Sequence, residues 1–532
     1  MKKYTLFILI LLMKLSSAQN QFQHIYGGVN HERGQTLLET FNNRFLLNGA
    51  TTSYGQGSAD AMMIKTDNAG NTIWSKVYGL SDFDNSEFAI EATDHGYVGV
   101  GRCIAPLGSV GTDAWIFKVD SNGVLQWSKN FGNNGVNDGF VQAINTADGG
   151  FAFIGNTRSI GAGSDDIFLV HTDANGDTIF TRSYGTVQTE SGLSLIQTSN
   201  GDYAICGRQQ TFPGGVAQSD GFILRTDGNG DLLWSKLYGD TLWEEFESIR
   251  ELPNGDLVVA GSTVSFGQGD YDILVVRVNN LGNLISDFAY GGPKTDAAYN
   301  LIVNSDLSMV MSGYSEGLGY GHRLMGDDST NIFLMKVQEN GALDWMMTYG
   351  DGLQDEAYRS AKCSDGGYMI SGYTTNYTFP DSTQMLFIKT DSLGASGCHE
   401  ELASPIYSSV VIPTANVGFV QASGVNVTNV STIELTVNTA NNDACLFATV
   451  NQNALNELIS VSPNPFTNQI NLMLKGIIAH SISIYDVNGK MILNKKGIFT
   501  NDVSFNTSEF SKGFYVLKID YDSGQKIVKL IK

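Results

Sequence analysis

From about residue 22 to residue 397 the chain alternates short apolar and polar runs, broken by Asp-Gly, Asn-Gly and similar pairs. Runs of this length with partial period-two alternation, ended by Gly-bearing breaks, predict short β-strands joined by hairpins. One stretch shows the set clearly: Ser86 to Thr93, Tyr97 to Gly101, Ala114 to Val119 and Leu125 to Phe131, here called strands a to d. The set recurs. An aromatic-Gly pair stands at Tyr26-Gly27, Tyr78-Gly79, Phe131-Gly132, Tyr184-Gly185, Tyr238-Gly239, Tyr290-Gly291 and Tyr349-Gly350, in steps of 52, 53, 53, 54, 52 and 59 residues. Gly49, Gly101, Gly155, Gly207, Gly261, Gly313 and Gly372 keep the same rhythm. Between c and d a turn repeats, at Asp67 to Gly70, Asp120 to Gly123, Asp173 to Gly176, Asp227 to Gly230, Asn279 to Gly282 and Asp391 to Gly394.

Seven units of four antiparallel strands at this period predict an all-β, seven-bladed β-propeller over residues 19–397, with a linear solenoid as the alternative. The ends favour the propeller. After Gly394 the seventh unit lacks a d strand, while Phe22 to Gly27 supplies a spare one, with Phe22 placed as Trp74, Trp127, Phe180, Trp234 and Trp345 are in their units. Pairing the spare strand into the last blade leaves no open edge. The repeated aromatics read as packing between neighbouring blades; Ser286 interrupts the series.

Composition adds the address. Lys2 and Lys3, the apolar run Tyr4 to Leu15 and the small residues Ser16, Ser17 and Ala18 form a secretory signal, here residues 1–18. No later run is long and apolar enough to span a membrane. The net charge of −22 argues against nucleic acid and anionic membrane as partners, both of which select basic surfaces. From Glu457 onward the balance is +3, which marks a domain boundary.

The units, with phrases such as Asp113 to Gly123 followed by Trp127 to Gly132, resemble the seven-bladed β-propeller repeats of secreted bacterial proteins. That resemblance implies architecture and secretion and carries no catalytic residues. At the other end Ser462-Pro463-Asn464-Pro465-Phe466, Ile482 to Lys490 with its Asn488-Gly489 turn, Lys512-Gly513-Phe514-Tyr515 and the basic close through Lys529 look like the type A carboxyl-terminal sorting domain of the Bacteroidetes type nine secretion system. Residues 457–532 read from their pattern as a small Greek-key β-sandwich. The resemblance makes Pro463, Asn464, Pro465, Gly489, Lys490, Gly513, Tyr515 and Lys529 the sorting signal, and the outer-membrane translocon and sorting protease the partners. It also implies removal of this domain and release or surface attachment of the rest.

Residues 398–456, rich in Val, Thr, Ser and Asn, read as a solvated β-rich linker flanked by Cys398 and Cys445, a candidate disulfide in an oxidising envelope. Cys103, Cys206 and Cys363 read as buried thiols. No metal or cofactor motif stands out. Asp173 to Asp177 and Asp227 to Asp231 bear on calcium, yet lack the closing Glu of a calcium loop, and hairpin chemistry explains them. Asp60, Asp113, Asp166, Asp220 and Asp272, present in most units, read as caps of strand c. Asymmetry lies in the long b-to-c and d-to-a loops, which carry Phe212, Trp243, Tyr320, His322 and Tyr377. The expected function is a secreted or surface binding and adhesion module for glycan or protein. The alternative is a secreted enzyme degrading polysaccharide or protein.

Overall fold

The Gly of each c-to-d turn sits at positive φ, 82° at Gly70 and 71° at Gly282, a conformation that a side chain would strain. The Asp or Asn that opens the turn accepts backbone N–H groups two and four residues later, as Asp120 Oδ1 does from Asn122 and Val124 at 2.8 and 2.9 Å. The computed structural model that these turns belong to describes residues 20–444 apart from 105–110, 134, 319–328, 351–353, 376–381, 431 and 438. It also describes residues 459–532 apart from 463–466, 475–478, 487–489, 499–501, 509, 512–513 and 522–523. The chain is all-β and falls into two units, residues 1–444 and 445–532.

The first unit consists of seven antiparallel sheets of five strands. Sheet I runs Glu32–Glu39, Phe45–Thr51, Asp60–Thr66, Thr72–Gly79, then Ile433–Thr436. Sheets II to VI follow in chain order, their a strands being Asp84–Glu91, Asp138–Asn145, Thr189–Gln197, Glu244–Glu251 and Asp296–Val303. Sheet VII contains Asp355–Lys362, Tyr368–Thr374, Gln384–Lys389, Phe22–Gly27 and Ala440–Asp443. The amino-terminal strand therefore takes the missing d position, Phe22 opposite Lys389 and Tyr26 opposite Met385. Strand b of each sheet packs on strand a of the next, and Tyr368–Thr374 of sheet VII packs on Glu32–Glu39 of sheet I.

Aromatic residues join the sheets in pairs. Trp74 meets Tyr97, Trp127 meets Phe151, Phe180 meets Tyr203 and Trp345 meets Tyr368, with ring centroids 6.2 to 6.4 Å apart. The buried tyrosines of the aromatic-Gly pairs do more than fill space. Each hydroxyl donates to the c-to-d turn of the following sheet: Tyr78 to the Gly123 carbonyl at 2.6 Å, Tyr184 to Gly230 at 2.5 Å, Tyr238 to Gly282 at 2.7 Å, Tyr290 to Gly341 at 2.7 Å and Tyr349 to Gly394 at 2.5 Å. Tyr26 of sheet VII reaches Gly70 of sheet I at 2.5 Å. Phe131 cannot make this bond. Tyr238→Phe is therefore expected to cost about 1 kcal/mol in urea unfolding, the net value of one buried hydrogen bond.

Residues 400–443 are β-rich as expected, but they are not a free linker, and residues 445–456 lie outside the described residues. Seven short strands there each add a fifth strand to a sheet, in the reverse of chain order. Glu400–Ala403 pairs in sheet VI, Ile406–Ser409 in V, Thr414–Asn416 in IV, Val420–Ala422 in III, Val427–Asn429 in II, Ile433–Thr436 in I and Ala440–Asp443 in VII. Between them the backbone N–H groups of Val410, Val417, Val430 and Val437 donate to the carbonyls of Asp287, Ser235, Ser128 and Ser75 at 3.1 to 3.3 Å. This return segment thus steps about seven residues per sheet, and Ile412 and Phe419 are buried along it. The reason for the difference is edge chemistry: every d strand has an open hydrogen-bonding edge, and a polar strand of three or four residues satisfies it. The first compact unit accordingly ends at Ala444 rather than at 397.

Cys103, Cys206 and Cys363 are buried free thiols, and Cys398 is not among them. Cys445 lies outside the described residues. In the second unit a three-stranded sheet, Ile459–Ser462, Gln469–Leu474 and Asp502–Asn506, shares one apolar core with a four-stranded sheet, Met491–Ile498, Ala479–Asp486, Phe514–Tyr521 and Gly524–Ile531. Ile470, Leu472, Ile482, Ile484, Leu517 and Ile519 form that core.

Candidate functional site

In every sheet the register between strands a and b slips by one residue in strand a. The extra residues are Gln35, Glu87, Val141, Leu193, Glu247, Tyr299 and Tyr358, all half-buried, each following a buried residue. A bulge re-aims one side chain out of the ladder, which is why bulges gather at functional sites. Two positions earlier, strand a faces the residue after the periodic Gly of strand b. The opposed pairs are Arg33 and Ala50, Asn85 and Arg102, Gly139 and Asn156, Ser191 and Arg208, Glu245 and Ser262, Ala297 and Tyr314, Glu356 and Tyr373.

These three positions differ from sheet to sheet, unlike the aromatic and Gly positions, and their chemistry is concentrated in one arc. Tyr314, Tyr299, Tyr358 and Tyr373 follow one another across sheets VI and VII with centroids 5.8, 5.9 and 6.0 Å apart. The Arg33 guanidinium of sheet I lies 5.3 Å from the Tyr373 ring centre. Glu356 accepts a hydrogen bond from Tyr373, and burial lifts its carboxyl above the usual range. On the sheet V side Glu245 is held by Arg208 at 2.6 Å, by Ser262 Oγ at 3.2 Å and by Trp243 Nε1 at 3.2 Å. Arg208 also lies 5.5 Å from the Trp243 ring centre. Arg359 donates to the Tyr299 carbonyl at 2.6 Å.

Glu247 has the most altered carboxyl of the arc. Burial, reinforced by the negative charge of Glu245 and opposed by Arg359 and Arg208, holds it well above the usual carboxylate range. Burial likewise raises the Tyr314 and Tyr358 hydroxyls to about 12. The arc therefore holds neutral hydroxyls, a carboxyl held above its usual range, and guanidinium groups beside aromatic faces. Sheets III and IV answer with Val141 and Leu193.

Of the two sequence candidates among the described residues, Trp243 belongs to this cluster. Phe212 is exposed, next to a turn of 3₁₀ helix at Pro213–Gly215, and Tyr320, His322 and Tyr377 lie outside the described residues. The tyrosines, Glu247 and the arginines were missed although a signal existed: aligned on the repeat, their columns vary in kind while the rest of strands a and b keep theirs. The carboxylates of the calcium-like turns are otherwise engaged. Asp173 accepts its own turn's N–H groups, and Asp177 pairs with Lys129 at 2.7 Å. Among the described residues no three His, Cys, Asp or Glu side chains converge as a metal centre would require.

Residues 460–532 match the family model described as the secretion system C-terminal sorting domain. The protein is exported. It is secreted or attached at the cell surface, and its sorting domain engages the type nine secretion machinery. Tyr515 of this domain is buried, its hydroxyl donating to the Ser511 carbonyl at 2.8 Å, and Lys529 stands opposite Val516. Lys490 precedes the strand Met491–Ile498, while Pro463, Asn464, Pro465, Gly489 and Gly513 lie outside the described residues. No helix among the described residues is long and apolar enough to cross a membrane.

The chain is 31% identical to the regulatory protein FlaEY of Caulobacter vibrioides over 177 residues, 29% of this chain and 18% of that one, so it spans under a fifth of that relative's length. Among solved structures it is similar to PorZ, a surface component of the type nine secretion system of Porphyromonas gingivalis, at 11% identity and a TM-score of 0.27, covering 92% of this chain and 68% of that one. It is also similar to the polysaccharide lyase Uly1 at 10% identity and a TM-score of 0.37, covering 70% and 98%. Likenesses this slight carry no argument about function.

Proposed function

We propose that the seven sheets close as a seven-bladed β-propeller, that residues 1–18 are a signal peptide, and that the mature body is a glycan-recognition module at or beyond the cell surface. Closure is supported by the amino-terminal strand in sheet VII and by the packing of that sheet on sheet I. We further propose that Cys398 and Cys445 form a disulfide joining the two ends of the return segment, and that the outer-membrane translocon and sorting protease handle the second unit.

The recognition reading rests on the tyrosine run between Glu247, Glu356 and Arg33. Sugars present C–H faces to aromatic rings and hydroxyls to carboxylates and guanidinium groups, and this arc supplies both within one half-buried surface. A second reading, cleavage of a polysaccharide, is favoured by Glu247 alone, because a carboxyl at a strand bulge, held above its usual range, suits proton transfer. Assaying the exported protein against a polysaccharide panel, with binding and reducing-end release measured in the same wells, separates the two. Binding without release is the expected result; release would make the protein an enzyme, and absence of both would remove the glycan reading.

A further inference from the structure

Where each sheet meets the next, an acidic residue opening strand c faces the acidic residue opening the following strand a. The facing pairs are Asp60 and Asp84, Asp113 and Asp138, Asp166 and Glu190, Asp220 and Glu244, Asp272 and Asp296. Between them stands the Gly of the aromatic-Gly pair. A Cβ on Gly291 would lie 1.8 Å from Asp272 Oδ1 and 3.1 Å from Asp296 Oδ2, and one on Gly79 would lie 1.8 Å from Asp60 Oδ1 and 3.1 Å from Asp84 Oδ2. The Gly is thus required by the approach of two carboxyl groups to one point.

Nine of the ten residues are buried, Asp84, Asp272 and Asp296 being at most 1% exposed, Asp220 is half-buried, and none of the ten enters an ion pair found among the described residues. Asp272 Oδ2 accepts the N–H groups of Gln268 and Gly269 at 2.8 and 3.0 Å, while its Oδ1, the atom turned to Gly291 and Asp296, has no hydrogen-bond partner. The further charges bearing on these pairs are also negative: Asp82 beside Asp84, Asp240 beside Asp220, Glu316 beside Asp296, and Asp165 beside Asp166, itself bound to Arg158. The buried thiol of Cys103 lies near both Asp84 and Asp113. At the remaining two seams the c position is Asn331 or Gln384, whose amide oxygen takes the same place, 2.4 Å from a Gly350 Cβ and 2.2 Å from a Gly27 Cβ. A neutral oxygen therefore suffices for the contact.

We infer that each of the five acidic seams is closed by a proton held between its two carboxyl groups, so that the contacts joining the sheets loosen as those protons leave. Burial, with repulsion from the facing acid, lifts Asp84 to about 7 and Asp220 and Asp296 to about 6; burial alone lifts Asp60 to about 6. A carboxyl whose value is raised on folding contributes stability that is complete below its unfolded value near 4 and disappears as pH rises through 6 to 7. Acids held below their usual range, such as Asp94 beside Lys118, act oppositely and lose their contribution on further acidification. Maximum stability falls in the mildly acidic range.

The test is thermal unfolding of the exported protein from pH 4.5 to 8.5, compared with Asp220→Asn and Asp272→Asn, with and without calcium or chelator. The wild-type midpoint is expected to fall between pH 5 and 8. Each Asn variant should match it at pH 5 and exceed it by about 1 to 2 °C at pH 8, with no effect of calcium or chelator. A flat wild-type profile, or Asn variants less stable at pH 8, would overturn the proposal. So would a midpoint that chelator lowers and calcium restores, which would make the seams cation sites. Infrared titration of the wild type, which needs no variant, should show protonated carboxyl absorption persisting at pH 6; its absence would also overturn the proposal.

Discussion

Serine at both Cys398 and Cys445 is expected to lower the stability of the seven-sheet body by about 4 kcal/mol, the loop-closure value for a bridge spanning close to fifty residues. The residues between them pair successively with sheets VI, V, IV, III, II, I and VII, so the proposed bridge would join the ends of one complete circuit of the sheets. Each contact along that circuit is short: three or four ladder residues and one bond such as Val417 N–H to the Ser235 carbonyl at 3.2 Å. Short strands fray singly, and a closed loop would prevent them from peeling away one after another. Denaturant unfolding of the double variant measures the loss. Limited proteolysis should show new cuts between residues 400 and 443 before any in strands a to c. Equal stability and unchanged cutting would mean that ladder pairing alone holds the segment. Such an outcome would leave the strand order intact and remove the bridge as a stabilising element.

Alanine at both Tyr299 and Tyr358 should weaken glycan binding by roughly 30- to 150-fold, since each aromatic face contributes about 1 to 1.5 kcal/mol. Both are half-buried bulge residues of strand a with ring centroids 5.9 Å apart, outside the buried apolar clusters of their sheets, so truncation removes contact surface without opening a core. Glu247→Gln separates the two readings of this site. For recognition it should change affinity only modestly, because an amide keeps the size of the carboxyl and can still accept a hydrogen bond from a sugar hydroxyl. For cleavage it should reduce release by about 10²- to 10⁴-fold at nearly unchanged binding. Isothermal titration and reducing-end assays on the same preparations give both numbers. Retained binding in the tyrosine double variant would move the site away from this arc.

Much of this protein is written locally. The seven-fold rhythm of Tyr-Gly pairs, the Asp-x-x-Gly turns and the short alternating runs set strand number and hairpin order, because a turn's φ requirement and a strand's two faces depend on residues a few positions apart. The spare strand at Phe22 and the missing one after Gly394 were legible for the same reason, and the close through residues 460–532 carried the export address. Tertiary structure decided the rest. The return segment carries a spacing of about seven residues, as at Val410, Val417, Val430 and Val437, but that spacing names no partner, and its strands exist because the d edges of seven sheets are open to them. The tyrosine–glutamate arc joins strands of three different sheets, and the seam acids face each other across two sheets. The repeated acids Asp60, Asp166 and Asp272 do cap backbone N–H groups as read one unit at a time, but the second acid facing each belongs to the next sheet. Sequence alone specified what each unit would become; the meeting of units, where like charges approach and open edges find partners, was determined only when they packed.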